Sequence, residues 1–290
     1  MKAVKRRNKK RTARDAIANE IKPLLSGTIR RVEVVGCGGT GSLVAEHIAR
    51  MIAGFGLATS LRLWDGDEVE EANVARQNFA PHEVAANKAH ALAVRLAGQF
   101  GIPVASQTQH CSGHELVSCY ESSTSMPVLL ITCVDSLAAR AQICNGLPVQ
   151  RCLWIDCGNE HHTGQAVLGT THDDKTLRTG FTQWRDKPFA NCLPDVAAIN
   201  PELIAFMARR KKLPKTTDDA PSCADEPFRV QGFGVNAAVA LAAATIAKGL
   251  LVDGRTSIAQ IWLDVAAGRM LPVPVTRQLL EPWNTRSKAK

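Results

Sequence analysis

Gly36-Cys-Gly-Gly-Thr-Gly41 stands directly after the compact β-branched run Arg31 to Val35 and directly before a helical stretch from Ser42 to about Ala53. A glycine run between a strand and a helix lets backbone N–H groups approach an anion, and the helix N-terminus behind it adds partial positive charge. A chain built on this unit opens as strand, glycine turn, helix. That is the first unit of a doubly wound α/β sheet.

The alternation continues downstream. A second strand, Ser60 to Trp64, ends at Asp65, and alanines with Val84, Leu92, Val94 and Leu96 predict a helix over Glu83 to Gln99. Strands are predicted at Ile102 to Gln107 and Val128 to Cys133, separated by a short helical region. A helix over Ser136 to Leu147, a strand at Arg151 to Asp156 and an extended segment Gly164 to Gly169 follow. This order predicts a mostly parallel, Rossmann-like sheet. Between Thr170 and Glu226 the pattern gives way to Thr, Asp, Lys and Pro, with one predicted helix from Val196 to Arg210. So long an excursion inside a compact domain points to function. The alanine-rich helix Val230 to Leu251 is apolar on nearly every face and is expected to be buried. Ile258 to Asp264 and Met270 to Val275 flank Ala-Ala-Gly as a terminal hairpin. The predicted organisation is a basic tail and short helix over 1–28, the helix at 12–25. One α/β domain follows over 29–280, with a crossover segment at about 170–226, and then a tail at 281–290.

Charge and cysteine usage narrow the function classes. The net charge is +8, yet Lys2, Lys5, Arg6, Arg7, Lys9, Lys10, Arg11 and Arg14 leave the rest of the chain with 27 bases against 27 acids. The basicity belongs to a tail without aromatic residues for base stacking, so nucleic acid is not the expected partner. The longest apolar stretch, Val235 to Ala247, falls short of the ~18 to 20 residues of a membrane span, and no leader pattern opens the chain. A cytoplasmic protein is expected. Nine cysteines without any C-x-x-C pair fit a reducing compartment and mostly buried free thiols, and no structural zinc is expected.

Asp65 lies at the end of the second strand, 24 residues beyond Gly41, where a carboxylate can accept both hydroxyls of a ribose. On these facts a nicotinamide dinucleotide is the default ligand. The following residues change that: Asn73, Arg76 and Gln77 close the segment after Asp65, Lys88 lies one turn into the next predicted helix, and Asp135 stands at the end of the fourth strand. Arg76 and Lys88 can neutralise phosphate oxygens, Asn73 and Gln77 can orient them, and Asp135 can hold Mg²⁺. A triphosphate needs such a set; a dehydrogenase does not.

Here the sequence resembles the ThiF/MoeB/E1 superfamily, enzymes that adenylate the C-terminus of ubiquitin-like proteins. The resemblance rests on Gly-x-Gly-Gly-x-Gly at 36 to 41, on Asp65 to Gln77 ending Asn-x-x-Arg-Gln, on Lys88, and on Asp135 before the helix carrying Arg140. It spans about residues 30 to 275. It implies that Gly36, Gly38, Gly39 and Gly41 with Asp65 hold ATP, that Asn73, Arg76, Gln77 and Lys88 hold its phosphates, and that Asp135 holds magnesium. Trp154-Ile-Asp-Cys-Gly-Asn159, Thr163 to Gly169 and Pro221-Ser-Cys223 are similar to ThiF-like members of bacterial PRTRC gene clusters. Those lie beside a small ubiquitin-like protein and a JAB-type peptidase. The implied partners are a ubiquitin-like protein with a C-terminal glycine and an E2-like or sulfur-carrier acceptor, and the implied assembly is a homodimer. Neither Arg11 nor Arg14 sits in a motif matching the arginine that relatives donate to the partner subunit.

By the same resemblance the acyl-accepting thiol falls in the crossover segment before the C-terminal helix, where Cys223 stands between Pro221-Ser222 and Ala-Asp. Its polar, proline-flanked setting predicts exposure. Cys192, in Asn-Cys-Leu-Pro, is the second candidate, and Cys157 is expected to line the sheet. His161, His162 and His172 are read as surface loop residues rather than metal ligands, and Arg209 to Lys212 as helix-terminal cations. Two rivals to an activating enzyme stay open. One is an NAD(P) oxidoreductase, which lacks an obvious Tyr-Lys pair in a chain whose one tyrosine is Tyr120. The other is a non-catalytic nucleotide-binding scaffold that recruits the ubiquitin-like protein.

Overall fold

The computed structural model describes residues 20–116, 128–147, 152–210 and 234–285. The chain enters through a two-residue strand, β1 (Leu24–Leu25), and reaches β2 (Arg31–Val35), whose glycine turn leads into α1 (Gly39–Phe55). Next come β3 (Ser60–Trp64), α2 (Glu71–Val74), α3 (Lys88–Phe100), β4 (Val104–Gln107) and β5 (Val128–Thr132). They are followed by α4 (Leu137–Gly146), β6 (Leu153–Asn159), β7 (Thr163–Gly169), α5 (Asp174–Gln183), α6 (Val196–Ile199) and α7 (Pro201–Arg210). The last elements are α8 (Val235–Leu251), β8 (Arg255–Thr256), β9 (Ile258–Asp264), β10 (Arg269–Pro274) and α9 (Glu281–Thr285).

Eight strands form one sheet in the order β10-β9-β7-β6-β5-β2-β3-β4. The neighbours from β6 to β4 pair parallel, and β7, β9 and β10 extend the β6 edge antiparallel. The predicted mostly parallel, doubly wound sheet with its terminal hairpin is the one formed. Alternation along each strand separates two apolar layers. Val32, Val34, Leu61, Leu63, Leu129, Ile131 and Ile155 pack in one core with α1, α3 and α8. Val35, Trp64, Leu130 and Trp154 pack in the other with α4, α6 and α7. Most of α8 is buried as predicted, although Leu241 stays exposed. Among the described residues no helix is long and apolar enough to cross a membrane.

Several expectations are corrected. Residues 20–25 run extended instead of helical, because Leu24 and Leu25 pair with Thr256 and Arg255. The helix predicted from Glu83 begins at Lys88, since Ala85 takes a left-handed φ of 68° and Asn87 caps the helix by accepting the His90 N–H. Pro201 has no N–H and forces Asn200 into extended backbone, so the single helix predicted over Val196 to Arg210 is two, α6 and α7. Helix α5 lies where only irregular chain was expected. Its polar composition hides one apolar edge, Leu177 and Phe181, and Asp173 caps it through the Thr176 N–H. Strand β6 outruns its predicted end to reach Asn159, because β7 returns beside it and supplies partners as far as Gly164.

Candidate functional site

Winding reverses between β2 and β5: the chain steps outward from β2 to β3 and β4, then returns to the other side of β2. Ligands of open α/β sheets bind in the crevice that this reversal leaves beyond the strand ends. The glycine turn follows β2 there and Cys133 to Asp135 follow β5. Gly36 has φ +86°, and a methyl group on it would lie 2.8 Å from the Cys133 carbonyl oxygen. A methyl group on Gly41 would overlap the Gly36 carbonyl oxygen. Both positions therefore require glycine. Gly38, the N-cap of α1, has no side chain to cap the first turn, and the helix N-terminus opens on a cavity of about 450 Å³.

Gly36, Gly38, Gly39, Asp65, Arg76, Gln77, Lys88 and Asp135 all line this cavity. Asp65 is held by two backbone amides. Its Oδ2 accepts the Cys37 N–H at 2.6 Å and its Oδ1 the Asp67 N–H at 2.9 Å, which leaves further lone pairs for hydroxyl donors. Burial raises the Asp65 pKa, while those two amides and Lys88 oppose the rise. Lys88 is 4% exposed and meets Asp67 Oδ2 at 3.2 Å. Asn87, just before it, donates through Nδ2 to the carbonyls of Asp65 at 2.8 Å and Asp67 at 3.1 Å. One side chain thus caps α3, sets Lys88 and fixes the Asp65 loop.

Asn73 is placed differently. It is fully buried just outside the lining, with Oδ1 accepting the Glu70 N–H at 3.0 Å and its carbonyl accepting from Arg76 and Gln77. It shapes the turn that presents Arg76 and Gln77. Among the described residues its Nδ2, like Gln77 Oε1, is buried without a hydrogen-bond partner. Orphaned polar atoms carry a desolvation cost that a bound polar ligand would offset. Cys223, Arg11, Arg14 and Tyr120 lie outside the described residues.

Behind Asp135 stands a buried network. Ser136 caps α4 by accepting the Ala139 N–H. Arg140 on that helix meets Asp156 Oδ1 at 3.2 Å and donates to the Cys157 carbonyl at 2.9 Å. Thr132 donates to the same Asp156 oxygen at 2.7 Å, and Trp154 donates to Thr132. Burial raises the Asp156 pKa, against Arg140 and Thr132. The described cysteines are free thiols, all buried except the half-buried Cys133. Cys133 and Cys157 line the cavity. Its hydrogen bond to Cys157 and burial push the Cys133 thiol well up, and burial does the same to Cys37. Cys192 lies away from the cavity, packed on Gly180, with burial pushing its thiol up to about 11. His172 is no simple loop residue, because its Nδ1 pairs with Asp195 Oδ2 at 2.9 Å.

Comparison with known proteins agrees with this geometry. Ubiquitin-like modifier-activating enzyme 5 of Branchiostoma floridae is 32% identical over 138 residues, which is 44% of this chain and 32% of that protein. The enzyme of the same name from Xenopus laevis is 33% identical over 141 residues, again 44% of this chain and 33% of the relative. The chain spans about a third of the length of these curated relatives. Among solved structures, E. coli MccB with MccA superposes with a TM-score of 0.53 at 14% identity, over 87% of this chain and 65% of that one. PaaA gives a TM-score of 0.52 at 14% identity over the same shares. These structures share the fold. The profile of the ThiF family matches residues 20–258, and the chain belongs to that family.

Proposed function

We propose that this chain adenylates the C-terminal glycine of a small ubiquitin-like protein at the expense of ATP. The observation that supports this best is the convergence of the glycine turn, Asp65, Arg76, Gln77, Lys88 and Asp135 on one cavity from five separate parts of the chain. Family membership supports it too, as do relatives named for activating ubiquitin-like modifiers and E. coli MccB solved with ATP.

In this reading Asp65 accepts the ribose hydroxyls, and the amides of the glycine turn meet phosphate oxygens. Arg76 and Lys88 neutralise the triphosphate while Gln77 orients it. Among the described residues no group of three or more side chains could cage a metal ion. That suits Mg²⁺, which takes one or two carboxylates and completes its shell with water and substrate phosphate. Asp135 would hold it, and the bound ion would supply charge neutralisation at the phosphates. A carboxylate oxygen of the C-terminal glycine bonds to the α-phosphorus. The bond to the bridging oxygen breaks, and pyrophosphate leaves with that electron pair. Cys223 then takes the acyl group as a thioester and AMP leaves, before transfer to an E2-like or sulfur-carrier acceptor. Cys133, whose thiol is pushed well up by its hydrogen bond to Cys157 and by burial, is a poor competitor for that role.

The test is exchange of labelled pyrophosphate into ATP in the presence of a small ubiquitin-like protein with a C-terminal glycine. Wild type exchanges, and Arg76→Ala and Asp135→Ala each lose about 10²- to 10³-fold. Absence of exchange by wild type overturns the reading. A non-reducing gel of wild type and Cys223→Ala then decides the covalent step, since a thiol-sensitive adduct should vanish in the variant.

A further inference from the structure

Beside the glycine turn, three elements meet on one atom. Asn236, in the first turn of α8, offers its Oδ1 to two donors: Thr40 Oγ1 at 3.1 Å from the first turn of α1, and Asn159 Nδ2 from the end of β6. Thr40, Asn159 and Asn236 all line the cavity. The Asn159 N–H on that oxygen orients the carboxamide, because turning it over would set NH₂ against NH₂, whereas the Thr40 hydroxyl can donate or accept. The opposite edge of the amide is therefore a donor edge. It faces the glycine turn: a methyl group on Gly39 would collide with Asn236 Nδ2 first, with Oδ1 farther off at 3.4 Å. On the neighbouring glycine, Gly38, the nearest side chain is Gln77. An anion seated on the turn thus lies between two carboxamides, and the one on the α8 side presents N–H.

We propose that Asn236 is a further catalytic residue, donating from Nδ2 to an α-phosphate oxygen, with Asn159 and Thr40 as the positioning residues that aim it. This rests on the adenylation reading above. In that reading Asp65 holds the ribose and Arg76 and Lys88 take the outer phosphates, so the phosphate on Gly38 and Gly39, between Gln77 and Asn236, is the one attached to the nucleoside. Negative charge accumulates on its non-bridging oxygens as the substrate carboxylate adds and pyrophosphate departs, and a fixed donor there stabilises that charge without reorganising. No proton moves in the step.

Nucleotide binding tests this without the protein substrate, because AMP carries the α-phosphate alone and adenosine carries none. Asn236→Asp is the sharpest variant. Its carboxylate still accepts from Thr40 and Asn159, so melting temperature and adenosine affinity should match wild type, while an oxygen anion replaces the donor. Calorimetric titration at pH 8 should show AMP and ATP affinities down about a hundredfold in Asn236→Asp and about tenfold in Asn236→Ala. Asn159→Ala, which frees the carboxamide to turn, should lose about threefold for AMP. AMP binding at wild-type strength by Asn236→Asp overturns the assignment and leaves the ATP reading standing. Equal losses for AMP and adenosine make Asn236 merely structural and also overturn it. A wild type that binds neither ATP nor AMP removes both readings together.

Discussion

His172 shows how one contact sets a pH response. Its Nδ1 lies 2.9 Å from Asp195 Oδ2, and Asp195 Oδ1 also accepts the Ala198 N–H that starts α6. The hydrogen bond to Asp195 raises the imidazole pKa against burial, with the Asp195 and Asp173 charges adding to the rise. A histidine that holds its proton more tightly when folded stabilises the fold fully below its unfolded pKa of about 6.5. That contribution disappears as pH climbs through the raised folded value. Melting curves from pH 5.5 to 8.5 should therefore show wild type losing stability relative to His172→Gln above pH 6.5, and parallel curves would refute the pair's role. Gly41 fails differently. With Gly36 O where its side chain would go, Gly41→Ala should cost at least about 1–3 kcal/mol in urea unfolding, and an unmoved midpoint would mean the turn relaxes cheaply.

Helix α3 shows what an element contributes to the site and what its sequence discloses. An asparagine directly before a lysine-led helical run is an N-cap signal, and reading it would have placed the helix start at Lys88. The alanine pattern upstream masked it, because Ala85 and Ala86 match a helix in composition while the backbone there turns left-handed. Asn87→Ala should cost about 1 kcal/mol as a lost cap. It should also weaken ATP binding several-fold, since the Asp65 carbonyl loses its side-chain donor and the Asp67 carbonyl, which keeps the Lys88 N–H, loses one of two. Chemical denaturation and ATP titration of one variant measure both, and a stability loss with unchanged affinity would confine Asn87 to the helix. The glycine turn and Asp65 were legible because each sits at a strand end, a landmark whose geometry the sequence pattern conveys. Asn159 and Asn236 were not, because their meaning arises only when β6 and α8 meet across 77 residues of chain. Asn73 was legible in type but not in placement: the same carboxamide that could face a phosphate closes a turn behind Arg76 and Gln77.

For the whole molecule, the decisive fact is that the site sits where the sheet reverses winding, so its parts hang from strands β2, β3 and β5 at once. Occupying the cavity ties those strands together, and a ligand that binds only the folded chain stabilises all of it by mass action. At a hundredfold excess over its Kd that amounts to about 2.7 kcal/mol. For a chain of 290 residues this corresponds to a rise of roughly 5 °C in melting temperature. ATP with magnesium should produce that rise in wild type, and Asp65→Asn, which weakens the ribose contact, should shrink it. NAD serves as the opposing probe, because the same glycine turn and Asp65 would suit a dinucleotide while Arg76, Gln77 and Lys88 would be idle. A shift with NAD and none with ATP would hand the cavity to a redox coenzyme; a shift with ATP that disappears in Arg76→Ala identifies the outer phosphates as what the cations were assembled to hold.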